Sequence, residues 1–272
     1  MSIPLVSVCM IAYNHENYIA EAIKGVFMQQ TDFMVEFIIS NDASLDGTDK
    51  IINGLAKDSD KIKIKYFSHS DNKGMIPNFI WSLRECKGKY IALCEGDDYW
   101  TDPLKLQKQV DFMEGNPEYA ICFHSVAVYD ESLKAITTDN ITRHVPQTTS
   151  IVDMARGNYI HTPSVLLRND FNIPKWFKKA TLGDWTLYLI AIKNRKIKKM
   201  TDSMAVYRLH EKSIWSNKDQ SERSALTKET VRLVYNNLKI KNKKAKNILR
   251  KRAGYKLSRF QRILNKMKKI YK

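Results

Sequence analysis

The residues best able to do chemistry are acids placed just after apolar runs. Adjacent Asp97 and Asp98 follow Tyr90-Ile-Ala-Leu-Cys94, with Glu95 immediately before them. Side-by-side carboxylates are hard oxygen ligands suited to Mn2+ or Mg2+, and such a cation bridges them to a substrate diphosphate. There it would neutralise charge on a leaving diphosphate as a Lewis acid. Read alone, Gly96-Asp97-Asp98 is more simply a polar turn, because Gly and Asp are ordinary turn residues. There is no GxGxxG after the first apolar run and no Walker lysine loop, so a dinucleotide or P-loop phosphate cradle is lacking.

The apolar runs themselves give the scaffold. Leu5–Ala12 is a β-branched stretch of strand length. Residues 16–29 carry Ile19, Ala22 or Ile23, Val26 and Phe27 at helical spacing, with Asn14 as the expected cap. Val35–Ser40 reads as a second strand. A helix through Ile51, Ile52 and Leu55, a strand over Ile62–Phe67 and a helix through Phe79, Leu83 and Cys86 follow. Tyr90–Cys94 is the fourth strand, and Pro103 is placed to start the next helix. This βαβαβαβ order over residues 1–115 predicts an α/β fold, a doubly wound, mostly parallel sheet flanked by helices. Such sheets bind ligands beyond the carboxyl ends of their strands, where strand order switches. Polar clusters stand there: Tyr13-Asn14-His15, Asn41-Asp42, Asp71–Gly74 and Asp97-Asp98. Residues 116–225 break the alternation and are expected to complete the same domain, with residues 226–272 as a basic helical extension.

Taken in order, the segments VSVCMIAYNHENYIAEAI, FIISNDASLDGT, GKYIALCEGDDYW, LGDW, TPSVLLR and YRLHEKS resemble the motifs of the family 2 inverting glycosyltransferases, bacterial surface-polysaccharide type. The resemblance covers about residues 4–215. It implies a GT-A fold, with a nucleotide-sugar-binding half (1–115) fused to an acceptor-binding half (116–225). By position, Tyr13 would stack on the base, with Ala12 and Asn14 around it. Asp42 would accept a hydrogen bond from a uracil imide, which points to a UDP-sugar; Asn41 stands where the family usually has a first acid. Asp97 would meet the ribose or the metal, and Asp98 would ligate the metal; Glu95 occupies a position where many members have Asp. Asp184 matches the family's catalytic base, which takes the acceptor proton during inverting attack. Its plainer reading is the N-cap of a helix starting at Trp185. His210 either completes the metal site, contacts the diphosphate or packs in the core, and Arg208 offers the diphosphate a bidentate guanidinium. Lys73 and Gly74 suit a loop near phosphate. Asn78, one turn on, is a donor contact or an exposed helix residue. His161 and Thr162 stand where acceptor contacts are expected, or at a strand edge. Of Trp100, Trp185 and Trp215, Trp185 is expected to stack on an acceptor sugar, although core packing is the ordinary fate of Trp.

Composition narrows the class further. The 272 residues are 43% apolar and 27% charged, which is globular. No run approaches the ~20 apolar residues of a membrane span. The N-terminal apolar run has no basic segment ahead of it, so it reads as a strand and not a signal peptide. Cys9, Cys86, Cys94 and Cys122 lie in apolar stretches without CxxC spacing, as expected of reduced core thiols in a cytoplasmic protein.

The net charge of +16 is entirely local: residues 228–272 hold 17 Lys and Arg against one acid, Glu229. Leu257, Phe260, Leu264, Met267 and Tyr271 recur on one helical face, with Arg259, Arg262, Lys266 and Lys269 opposite. That pattern suits an interfacial helix, so an anionic membrane is the expected partner of residues 245–272; a helix packed on the body is the alternative. Location at the inner face of the plasma membrane and a lipid-linked glycan acceptor would agree with this. No nucleic acid is expected, because no recognition module accompanies the basic residues. A nucleotidyltransferase is disfavoured by the absence of a Gly-rich basic loop between Ile11 and Tyr18. A degenerate nucleotide fold acting only through its basic tail, on membrane or nucleic acid, is the non-enzymatic alternative.

Overall fold

A computed structural model describes residues 4–256, apart from Lys212 and residues 214–217. Trp215 and the amphipathic stretch 257–272 therefore lie outside the described residues. The first half runs β1 (Val6–Ala12), α1 (Ile19–Phe27), β2 (Val35–Asn41), α2 (Thr48–Leu55), β3 (Ile62–Ser68), α3 (Met75–Glu85) and β4 (Tyr90–Leu93). It continues through β5 (Tyr99–Trp100), α4 (Lys105–Gly115), the long β6 (Tyr119–Asp130), β7 (Ala135–Thr137), β8 (Thr148–Thr149) and α5 (Ile151–Met154). Then come β9 (Leu166–Arg168), α6 (Gly183–Ile192), β10 (Lys196–Leu209), α7 (Gln220–Asn237) and α8 (Lys243–Arg252). Single 3-10 turns at Thr162–Ser164 and Lys175–Lys179 flank β9.

One sheet runs through both halves in the order β3-β2-β1-β4-β9-β6-β10-β5. β1, β2, β3 and β4 pair in parallel, as the alternating pattern requires, while β9 enters antiparallel between β4 and β6. Every residue of β1 and β2 is buried, because helices cover both faces of the central strands. Val8, Met10 and Phe37 face one core, shared with Ile19, Ile23 and Val26 of α1. Cys9, Ile11 and Ile38 face the other, against Phe79 and Leu83 of α3 and Leu187 of α6. This odd-even division is the two-residue period of a strand buried on both sides.

Helix α1 starts at Ile19, and the expected cap at Asn14 is not formed. Asn14 instead takes a left-handed conformation (φ 57°) and its Oδ1 accepts a hydrogen bond from Leu45 N, tying the loop after β1 to the loop after β2. α1 also presses closely on β5. A Cβ on Gly25 would lie 2.9 Å from Trp100 N and 3.0 Å from Trp100 O, both main-chain atoms that cannot swing away. Gly25→Ala is therefore expected to lower stability by about 1–3 kcal/mol. The check is a lower denaturant midpoint at unchanged slope.

The described part of the basic extension packs on the body. Ala245 and Leu249 of α8 are buried against α5 and α7, and Asn242 caps α8 by accepting from Ala245 N. Among the described residues, no helix is long and apolar enough to cross a membrane.

Candidate active site

The strand order switches between β1 and β4, so the loops that follow them diverge and leave a crevice. The loop after β1 brings Tyr13, Asn14 and His15 to its edge, and the loop after β4 brings Glu95, Asp97 and Asp98. β5 begins directly after Asp98 and pairs antiparallel with β10, with Ala205 opposite Trp100 and Val206 opposite Tyr99. That pairing carries the end of β10 to the carboxylates. Arg208 N donates to Asp98 Oδ1 at 2.9 Å, across 110 positions of sequence. His210 Nε2 lies 3.1 Å from Asp97 Oδ2, and His15 Nε2 lies 3.8 Å from the same oxygen. The approach is close because residue 96 is glycine: a Cβ there would fall 2.8 Å from His15 Nδ1 and 2.7 Å from Ile19 Cδ1.

Glu95, Asp97 and Asp98 each offer an oxygen, and these atoms lie within 4.8 Å of one another. Burial, with Asp97 and Asp184 nearby, pushes Glu95 up to about 8. Burial and the charges of Asp97 and Glu95 likewise drive Asp98 well above the ordinary carboxylate range. Asp97 goes the other way: against the cost of burial, His15 and the His210 hydrogen bond hold it down. Asp97 Oδ1, Asp98 Oδ2 and His210 Nδ1 are buried without a hydrogen-bond partner. Converging like charges with unsatisfied buried oxygens are costly unless a cation joins them. Hard oxygen donors with one imidazole fit Mn2+ or Mg2+, so Asp98, Asp97 and Glu95 are the residues able to hold such an ion, with His210 beside them.

Asp184 faces the same space. It lies in the first turn of α6, whose N-cap is Leu182, so the N-cap reading of Asp184 does not hold. Its Oδ2 accepts from Asn158 Nδ2 at 2.6 Å, and burial raises its pKa against that bond and the Trp185 N–H. Its charge acts on Glu95, so this fourth carboxylate lies near the other three. Sequence reasoning missed Tyr207 here. Burial raises its phenol, and Asp98, Glu95, Asp97 and Asp184 all add to the effect. Strand alternation was the available signal: Val206 and Arg208 share one face of β10, so Tyr207 must present the other.

At the ends of β1 and β2, Tyr13 is 40% exposed. Asp42 is buried, its N–H donating to Ala12 O at 2.9 Å. Its carboxylate accepts from Lys73 N at 2.8 Å and Gly74 N at 2.9 Å. Ala12, Asp42, Lys73 and Gly74 thus come together as expected, with Asp42 also anchoring the turn into α3. Gly74 adopts φ 86°, a left-handed conformation that favours glycine.

Three expected contacts are corrected, and His161 and Thr162 lie buried beside a strand. Asn78 is buried, not exposed: it accepts from Ser40 Oγ, its Oδ1 lies 3.1 Å from His69 Nε2, and its Nδ2 donates to Ser40 O. Those bonds tie α3 to β2, and the side chain is buried within them. The Arg208 guanidinium is paired with Glu21 of α1 and Glu131 after β6, and stacks on Tyr18 and Tyr99, so it is engaged in locking β10 in place rather than free for a diphosphate. Trp185 is 1% exposed and its indole donates to Met154 O at 2.9 Å, so it is core and not a sugar platform. His161 and Thr162 are both buried at the turn before β9, with His161 Nε2 3.1 Å from Asp139 Oδ2 and its ring against Tyr207. His161 thus packs between Tyr207 and the loop carrying Asp139.

The comparisons agree with this geometry. The profile of glycosyl transferase family 2 matches residues 7–172. An uncharacterised protein of Mycobacterium tuberculosis is 37% identical over 210 residues, covering 77% of this chain and 60% of its own. The chain thus spans about three fifths of the length of that relative. The Escherichia coli UDP-Glc:alpha-D-GlcNAc-diphosphoundecaprenol beta-1,3-glucosyltransferase WfaP is 38% identical over 110 residues, 40% of this chain and 41% of WfaP. Among solved structures, S. aureus TarS in complex with UDP-GlcNAc superposes with a TM-score of 0.65 at 17% identity, over 91% of this chain and 71% of that one, which gives the GT-A fold. With its doubly wound sheet, switch-point carboxylates and matching profile, the chain belongs to glycosyl transferase family 2.

Proposed function

We propose that the protein transfers a sugar from a UDP-sugar to a hydroxyl of a glycan or lipid-linked acceptor, with inversion and with a divalent metal, in surface-polysaccharide synthesis. The observation that carries this reading is the convergence of Glu95, Asp97 and Asp98 on one point, with Asp184 facing them. Support for the donor comes from Asp42 and Tyr13 at the base end and from the UDP ligands of TarS and the UDP-Glc named for WfaP. Support for the acceptor class comes from the diphosphoundecaprenol in the name of WfaP.

In this mechanism Asp98, Asp97 and Glu95 would hold the cation, which when bound would supply Lewis-acid neutralisation of charge on a leaving diphosphate. Arg208 N and the His210 imidazole fix the two aspartates so that little reorganisation is needed during transfer. Asp184, oriented by Asn158, removes the proton from the acceptor hydroxyl as that oxygen attacks the anomeric carbon opposite the leaving group. The basic extension places the enzyme at the inner face of the plasma membrane, where a lipid-linked acceptor is presented.

Saturation-transfer NMR against UDP-, GDP- and dTDP-sugars, with and without Mn2+, tests this on wild type and Asp98→Ala. Mn2+-dependent binding of a UDP-sugar that disappears in Asp98→Ala is expected. Absence of nucleotide binding under every condition would overturn the transferase reading and leave the basic tail as the working part.

A further inference from the structure

A cavity of about 370 Å3 opens between α7 and the end of α8, lined by Arg223, Ser224, Thr227, Lys228 and Arg252. Gln220 and Val231 complete the lining, which includes three basic and two hydroxyl residues and no acid. Arg252 is half-buried: its Nη1 donates to Ala155 O at 2.9 Å and its guanidinium lies 5.1 Å from the Trp185 ring centre. Arg143 approaches from another segment, donating to Asp153 O at 2.6 Å, and its charge adds to burial in depressing the Arg252 pKa. Among the described residues, no carboxylate is paired with Arg143, Lys228 or Arg252. Of the two acids of α7, Glu222 is paired with Lys218 and Glu229 is not part of the lining. Lys228 and Arg252, with no carboxylate partner among the described residues, leave positive charge that an anion rich in acceptor oxygens relieves. The volume exceeds what a single small ion needs and suits a phosphate or diphosphate.

The cavity also has a fixed relation to the reaction centre. Arg252 covers the ring of Trp185, the residue after Asp184, and holds Ala155, three residues before the Asn158 that orients Asp184. It therefore lies behind the acceptor side of the crevice and not at the nucleotide end. We propose that this cavity takes the diphosphate that links an acceptor glycan to its lipid carrier, with Lys228 and Arg252 as its cationic contacts and Ser224 and Thr227 as hydroxyl donors. The assignment of the anion to an acceptor rests on the transferase reading above; the anion site itself does not.

The test uses the full chain in EDTA, so that no cation recruits a diphosphate to Asp98, and titrates it with geranyl diphosphate and with inorganic pyrophosphate by calorimetry. Both are expected to bind, and Lys228→Gln to weaken each by about tenfold, as for the loss of one charge-assisted hydrogen bond. Arg252→Gln is expected to do the same. Because it also uncovers Trp185, the exposed Lys228 carries the decision if that variant unfolds. Unchanged affinity in Lys228→Gln would overturn the site. Vesicles of phosphatidylcholine with and without phosphatidylglycerol distinguish the source. Lys228-dependent vesicle binding without diphosphate binding would assign the cavity to a lipid headgroup and overturn the acceptor assignment. Mn2+-dependent UDP binding, read on the same preparations exchanged out of EDTA into Mn2+, should be equal in wild type and Lys228→Gln. Its absence from wild type would count against the transferase reading while leaving the EDTA titration decisive for the cavity.

Discussion

Asp98→Asn is expected to lower kcat/KM by about a thousandfold, a loss on the scale of removing a principal electrostatic stabiliser from an active site. The substitution is isosteric. The amide oxygen can still accept from Arg208 N, so the contact between the loop after β4 and the end of β10 is kept. What disappears is one of three negative charges converging within 4.8 Å, and with it the oxygen that has no protein partner. Folding should not suffer, because the charges oppose one another when no cation joins them. Unchanged or raised thermal stability, together with the activity loss and an increased Mn2+ requirement, is the expected signature. Activity within a few-fold of wild type would show that the cluster is not the place where leaving-group charge is neutralised.

The same site shows why some of the chemistry was legible in the sequence and some was not. The strands and the ends that carry Asp42, Asp97 and Asp98 follow from β-branched runs interrupted by helical spacing, since parallel strands buried on both faces leave a nearly unbroken apolar trace. Chain order alone then puts the polar loops at one edge of the sheet. Partners from distant elements left no such trace. The pairing of Arg208 with Glu21 and Glu131 joins three elements, and its burial converts a guanidinium expected to meet substrate into part of the frame. Trp185 was misplaced for a related reason. Helix α6 is buried on every side, so no amphipathic stripe distinguishes an inward tryptophan from one at the crevice. Asn78 was open to two readings because its partners, Ser40 and His69, come from a strand end and a turn that periodicity does not connect.

Asp184→Asn is expected to reduce kcat by about a hundredfold to ten-thousandfold, the range for loss of a general base, while leaving UDP-sugar binding intact. Donor binding is expected to be spared because Asp184 belongs to α6, a different element from the loops that carry Tyr13 and Asp42. The wild-type pH profile gives an independent reading. Burial raises the Asp184 pKa above its ordinary 3.8, and a base works only when ionised. Activity should therefore fall as pH drops through that raised value, with an acid limb lying above the usual aspartate range. Asn158 Nδ2 donates to Asp184 Oδ2 and favours the charged form, so removing it must move the limb in a known direction. In Asn158→Ala the acid limb is expected to shift further up, with turnover approaching wild type at alkaline pH, where the carboxylate ionises without help. An unshifted limb in Asn158→Ala would mean that another group titrates. Wild-type kcat in Asp184→Asn would mean that the acceptor proton leaves by a different route.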